Sequence, residues 1–198
     1  MKIQNKLLFY ILALFLIPSF AYAHIINGNG FNDGLLHPLS GIDHLLAMLA
    51  VGIISIQLGK RAVWFVPLCF VTMMIFGSIA GIFGLKVFGA EYAIVFSVII
   101  LGLGIAFVKK LPRKYSVLLS LICVALAAFF HGHAHGEEMP IVASPFLYAL
   151  GFVLATATLH ISGVAIGYYG SKTDFRSKLL KIAGIAVSFV GVYLLISV

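Results

Sequence analysis

The chain has 198 residues, of which 62% are hydrophobic and 10% charged, whereas soluble domains carry roughly 25% charged residues. Its 6 acidic residues cannot cover the surface of a 21.4 kDa protein, so a water-soluble globule is excluded. The net charge of +7 does not indicate a nucleic-acid partner, because the basic residues stand in short groups between apolar blocks, as membrane topology requires. The composition predicts an all-α polytopic membrane protein in a lipid bilayer.

The N-terminus has the pattern of a secretory signal peptide. Two lysines precede an apolar run over 7–17, and Ala21-Tyr22-Ala23 matches a small-residue cleavage motif. We therefore predict a cleaved signal peptide over 1–23 and one transmembrane domain over 24–198, whose first residue is His24. An uncleaved first helix is the alternative interpretation.

Six apolar blocks follow, each long enough to cross a bilayer as a helix, which takes about 20 residues. They lie approximately at 39–57, 62–84, 90–108, 115–131, 145–169 and 179–197. Because the connections between them are short, neighbouring helices are expected to be antiparallel. The sequence therefore predicts a single six-helix transmembrane bundle.

Basic residues are concentrated in alternate connections, which sets the expected orientation. These residues are Lys60, Arg61, Lys109, Lys110, Arg113, Lys114, Lys172, Arg176, Lys178 and Lys181. Cytoplasmic connections carry an excess of Lys and Arg, so we predict that these three connections are cytoplasmic. Both ends of the mature chain then lie outside.

Most histidines and acids fall on the opposite, outer side. They are His24, Asp33, His37, Asp43, His44, Glu91, His131, His133, His135, Glu137 and Glu138. Imidazoles and carboxylates together form a typical ligand set for a divalent transition metal. The outer side is therefore the predicted location of the chemistry.

The first motif precedes the first span. Pro38 suits the opening turn of a helix and keeps the preceding residue extended, so we predict a non-helical His37 that folds back toward Asp43 or His44. In a continuous helix the two histidines would stand about 10 Å apart. An ionisable Asp43 in a span indicates function, with a structural salt bridge or cap as the alternative. Met48, one turn after His44, could pass a metal inward, although core packing is its simpler interpretation.

The second motif, over 131–140, closes the fourth span. His131, His133, His135 and Glu138 lie close together in it, which indicates metal binding. The first and third histidines share a face if the helix continues, but the glycines between them also permit a turn. A chance polar loop or a pH-sensing cluster are the alternatives.

Two further residues lie within spans. His160 shares a narrow polar face of the fifth span with Thr156, which suggests a relay ligand or proton carrier. An interhelical hydrogen bond is the alternative. Glu91 opens the third span and could line a pore or cap the helix through the helix dipole.

Three segments closely resemble the HupE/UreJ membrane proteins. They are HPLSGIDHLLAMLAVG over 37–52, FFHGHAHGEEMP over 129–140 and GFVLATATLHISG over 151–163. The likeness covers essentially the whole mature chain. The first motif is also similar to the HX4DH signature of a separate nickel/cobalt transporter family, but five residues separate His37 from Asp43 here, so we interpret that likeness as convergence.

The resemblance implies uptake of nickel, or cobalt, across the bacterial inner membrane, often in organisms that make nickel hydrogenase or urease. Carried over by position, the family's metal residues are His37, Asp43, His44, His131, His135 and Glu138. The resemblance does not say which of them bind directly.

A secondary or facilitated permease fits these expectations, with the ion as substrate, no tightly bound cofactor and no enzymatic activity. The expected path runs from His24, His131, His133 and His135 through His37, Asp43 and His44 to Met48 and His160. An intramembrane zinc-dependent hydrolase is the first alternative. The sequence does not favour it, because we find no set of three ligands on rigid helices apart from the histidine-rich loop. An outer-face metal sensor or chaperone is the second. A homo-oligomer is compatible with each.

Overall fold

The computed structural model describes residues 30–137 and 144–197 of the chain. These residues are almost entirely helical and contain no strand. Their α-helices are α1 Gly30–Ser40, α2 Ile42–Leu58, α3 Ala62–Ile82, α4 Ala90–Phe107, α5 Arg113–Glu137, α6 Pro145–Gly170 and α7 Asp174–Ser197, with a 3₁₀ turn at Val108–Lys110. The predicted signal peptide, His24 and Glu138 lie outside the described residues.

The helices have the length and hydropathy that membrane spans require. Each of α3 to α7 is long and apolar enough to cross a bilayer, and α1 with α2 makes a sixth span if the bent pair is counted as one. The predicted all-α membrane fold is confirmed. The bounds of the second, third and fifth predicted spans agree closely, whereas α7 begins at Asp174 rather than near 179.

The predicted non-helical His37 is wrong. His37 and Pro38 both lie within α1, and the chain breaks after them, at Gly41, where α1 and α2 meet at 81°. Helix α1 is held by its packing on α6: the backbone at Gly34 lies against the carbonyl of Tyr148, so closely that a side chain would not fit. This tertiary contact outweighs the local preference of the residue before proline for extended backbone.

The predicted end of the fourth span at 131 is also wrong. Helix α5 continues to Glu137, and its three histidines are buried rather than part of an outer loop. Gly132 and Gly136 do not form a turn. Instead, their Cα atoms lie against the backbone of α3 at Met74 and Ser78, so this packing carries the helix past its apolar block.

Close backbone approach at small residues joins the helices in pairs. Gly77 and Gly81 of α3 lie against α5 as well, so both helices present small residues to each other. Helices α2 and α6 meet at Gly52 and Gly163 in the same way. Such contacts allow van der Waals packing where lipid supplies no hydrophobic drive between helices. Helix α2 lies at the centre of the bundle, with the side chains over 46–55 buried on every face.

The basic connections converge on one end of the bundle. Lys109 Nζ donates a hydrogen bond to Ser171 Oγ at 3.0 Å, and the Arg113 guanidinium lies beside Gly59. These contacts bring together the three connections that carry the Lys and Arg excess. His44, at the start of α2, and His135, at the end of α5, consequently lie at the opposite end.

We expect Gly77→Ala to destabilise the protein, because the new Cβ would meet the carbonyl of Phe129 and the backbone of His133. Overpacking of this kind costs about 1–3 kcal/mol. Thermal unfolding in detergent, followed by size-exclusion chromatography, measures the loss. Gly104→Ala is the matched control, since its Cβ would meet only the movable end of the Ile54 side chain. Equal stability of the two variants would contradict the packing argument.

Candidate metal site

Three histidines from three helices converge at the end of the bundle opposite the basic connections. His37 of α1, His44 of α2 and His135 of α5 offer ring nitrogens that all lie within 4.8 Å of one another. Two nitrogens bound to one ion lie at most about 4.2 Å apart, twice a bond of about 2.1 Å. Ring rotation about the soft χ2 torsion can close the difference. We refer to these residues as the three-histidine cluster.

The break at Gly41 creates this convergence. It brings the rings of His37 and His44 to a centroid distance of 6.0 Å, although the two residues would stand two turns apart in an unbroken helix. The Ser40 hydroxyl donates to the carbonyl of His37 at 2.7 Å and so closes α1. A Cβ at Gly41 would lie 2.9 Å from both Asp43 Oδ1 and His44 Nδ1, so the absence of a side chain leaves room for that pair.

Asp43 orients the ring of His44. The carboxylate oxygen that holds the ring is occupied by His44 and does not face the cluster as a ligand. His44 Nδ1 donates to Asp43 Oδ1 at 2.7 Å, and the same oxygen accepts from the backbone N–H of His44 at 2.9 Å. The Nε2 lone pair of His44 is then available, and it has no hydrogen-bond partner among the described residues. A carboxylate that holds a ligating imidazole in this way is a recurrent outer-shell arrangement.

The ring of His131 is held in a similar way, but by a backbone carbonyl instead of a carboxylate. Its ring lies 4.8 Å from that of His44 between centroids. Its Nδ1 donates to the carbonyl of Ala127 at 2.7 Å, and its buried Nε2 has no hydrogen-bond partner within 30–137 or 144–197. His131 therefore places an unpartnered ring nitrogen next to the three-histidine cluster.

Aromatic side chains of α6 line the cluster, and sequence reasoning missed them. The Phe152 ring lies 4.3 Å from that of His135, and the Tyr148 ring lies 6.1 Å from that of His37. Tyr148 and Phe152 precede Thr156 and His160 at intervals of four residues, which is the spacing of one helix face. That spacing was the available signal. An apolar cavity of about 140 Å³ between α3 and α6 also reaches His135.

Several predicted site residues do not join the cluster. His133 points the other way, and its Nε2 donates to the carbonyl of Leu85 at 2.5 Å. Glu91 is exposed in the first turn of α4, and Met48 is fully buried in the apolar core. His160 lies deeper, buried, with its ring 5.0 Å from that of Phe70.

The arrangement suits a divalent transition metal ion. Imidazole nitrogens are good ligands for Ni²⁺, Co²⁺, Zn²⁺ and Cu²⁺ alike, so the donor set does not by itself select among them. Three nitrogens fill only part of a coordination sphere, which leaves positions for water. Such a cluster can bind an ion that still exchanges with solution, because part of its coordination sphere is water.

The fold and the cluster define a polytopic helical membrane protein with three histidines gathered at one end of its bundle. The family model described as HupE / UreJ protein matches residues 12–194. Protein HupE of Rhizobium leguminosarum bv. viciae is 39% identical over 188 residues, which are 93% of this chain and 95% of that protein. No solved structure matches the chain. The chain therefore belongs to the HupE/UreJ family, which confirms the resemblance seen in its three motifs.

We expect His135→Gln to weaken binding of Ni²⁺ to the purified protein by more than the roughly 10–100-fold that loss of an outer-shell partner costs, because a direct ligand is removed. His133→Gln is the matched control, since a glutamine amide can still donate toward Leu85. Isothermal titration calorimetry in detergent measures both affinities. A larger loss for His133→Gln than for His135→Gln would contradict the assignment of ligands.

Proposed function

We propose that this protein takes up Ni²⁺, or Co²⁺, across the bacterial inner membrane as a facilitated or secondary permease. The observation that carries the proposal is the three-histidine cluster, held by three helices at the end of the bundle opposite the basic connections. Membership of a family associated with nickel and cobalt uptake supports it. Maturation of nickel hydrogenase or urease inside the cell would consume the ion.

The cluster binds the arriving ion by exchange of water for imidazole. Neutral nitrogens of His37, His44 and His135 replace part of the hydration shell, and the Asp43 carboxylate behind His44 offsets part of the positive charge. His131 is the next nitrogen ligand, because its ring is adjacent to that of His44. No single position binds too tightly, since conduction requires release as well as capture.

The membrane potential is sufficient to drive this uptake. A divalent ion entering a cell that is negative by 100 mV gains about 4.6 kcal/mol, twice the gain of a single charge. The sequence also contains no GxxxxGK phosphate-binding loop. Uptake therefore does not require nucleotide hydrolysis by this chain.

Uptake is tested with ⁶³Ni²⁺ in proteoliposomes that carry an imposed potential, negative inside. We expect accumulation with the wild type, and a loss of most of it with His44→Ala and with His135→Ala, because each substitution removes a cluster nitrogen. Stoichiometric binding without accumulation by the wild type would instead indicate a sensor or chaperone. Unchanged uptake in both variants would contradict the proposed path.

The orientation is tested by cysteine labelling in a background where Cys69 and Cys123 are replaced by alanine. Phe88, 97% exposed, and Leu111, 43% exposed, lie in connections at opposite ends of the bundle. If the basic end is cytoplasmic, a membrane-impermeant maleimide added to spheroplasts labels Phe88→Cys and not Leu111→Cys. The reverse pattern would place the cluster in the cytoplasm and exclude import through it.

An intramembrane zinc-dependent hydrolase is the second candidate, and the structure favours it more than the sequence did. The expectation that no three ligands stand on rigid helices is wrong, because the three-histidine cluster does so. The apolar cavity that reaches His135 would also suit a lipid chain. Zinc-dependent cleavage of a lipid or peptide by the purified protein would establish this candidate, and accumulation of ⁶³Ni²⁺ without turnover would exclude it.

A further inference from the structure

Two buried polar groups lie beyond the three-histidine cluster on the inward side. Thr156 and His160 follow Phe152 at intervals of four residues, so they continue the face of α6 that lines the cluster. At 1.5 Å per residue, His160 lies about 12 Å further along the helix than Phe152. The side chains of Thr156 and His160 are 0% and 3% exposed.

Neither group is satisfied by its surroundings. Thr156 Oγ1 and His160 Nε2 have no hydrogen-bond partner in the part of the chain that the structure describes. Leaving a buried polar group unpaired destabilises the fold, and here two such groups lie one helical turn apart. A helix normally avoids it by local bonding.

The same helix shows what local bonding looks like. The hydroxyl of Thr158 donates to the carbonyl of Leu154 at 2.8 Å, and that of Ser162 donates to the carbonyl of Thr158 at 2.8 Å. Both residues are exposed. The exposed hydroxyls thus have partners within their own helix, whereas the buried Thr156 does not make the equivalent bond.

The ring of Phe70 lies next to both His131 and His160. Phe70 of α3 is fully buried, and its ring centroid lies 6.2 Å from that of His131 and 5.0 Å from that of His160. Phe70 therefore contacts both His160 and His131, the residue next to the three-histidine cluster. His160 belongs to a separate position and not to the ligand set of the cluster.

We propose that Thr156 and His160 form an inner binding station for the transported divalent cation. This proposal rests on the proposed uptake function. His160 Nε2 is the direct ligand, and Thr156 Oγ1 holds one of the waters that the ion retains. The unsatisfied atoms are then explained as groups whose partner is the hydrated ion in transit. The Phe70 ring separates this station from the three-histidine cluster.

The variant Thr156→Val distinguishes this role from a structural one. Valine matches threonine in shape and removes an unpaired buried hydroxyl, so a purely structural role predicts unchanged or higher stability and unchanged uptake. The inner station predicts a three- to tenfold lower initial rate of ⁶³Ni²⁺ uptake in proteoliposomes, about the worth of one lost hydrogen bond. Ni²⁺ affinity at the three-histidine cluster, measured by calorimetry, stays at the wild-type value.

Three further variants complete the test. Thr156→Ser keeps the hydroxyl and restores uptake, and Thr158→Val, the matched control on the same helix, transports like the wild type. His160→Gln lowers uptake at least as much as Thr156→Val. Size-exclusion chromatography verifies that each variant is folded.

Two results would overturn the proposal. The first is wild-type uptake by folded Thr156→Val, because the hydroxyl would then have no part in transport. The second is a parallel loss of cluster affinity and uptake, because Thr156 would then act through the outer site. Absence of uptake by the wild type would reject the proposed function itself, and the inner station with it.

Discussion

The interruption between α1 and α2 is the constraint on which the candidate metal site depends. Because the chain turns by 81° at Gly41, His37 lies over the first turn of α2 rather than two turns behind it. The turn is held from outside: α1 packs on α6 where Gly34 meets the carbonyl of Tyr148 and where Gly151 meets the carbonyl of Phe31. The positions of the cluster nitrogens are therefore fixed by backbone packing, which is less compliant than side-chain contact.

The histidines on α5 depend on a second close contact. Gly132 and Gly136 lie against α3, and this contact continues α5 beyond the apolar block, which sets the depth of His131 and His135. Buried imidazoles without partners reduce stability, so packing elsewhere must offset them. The glycine contacts between α3 and α5 are the nearest source of that stabilisation. On α5 the polar residues and the tightly packed glycines are therefore next to each other in sequence.

The sequence predicted the parts of this arrangement that follow from hydropathy and charge. Block length predicted the spans, and the loop lysines and arginines predicted which connections share an end, as the contact of Lys109 with Ser171 confirms. It failed at His37 and at the end of α5, where tertiary contacts override local preference. Helical spacing separates His133 from His131 and His135, because a difference of two residues sends side chains to opposite sides of one helix, but the glycines between them left open whether the helix continues. Pairings between helices, such as His44 with His135, depend on register, which no local pattern encodes.

Charge gives the proposed path a direction. At the cluster, the carboxylate of Asp43 lies directly behind His44 and offsets one of the two charges of the ion. Near His160, within the described residues, no charged group interacts with the ring, so a divalent ion at the proposed inner station would have no carboxylate to offset its charge. In the proposed uptake, we therefore expect binding to be strongest at the three-histidine cluster and weaker near His160, which suits capture from dilute solution. The membrane potential, worth about 4.6 kcal/mol per divalent ion at 100 mV, would offset that loss of affinity along the proposed inward path.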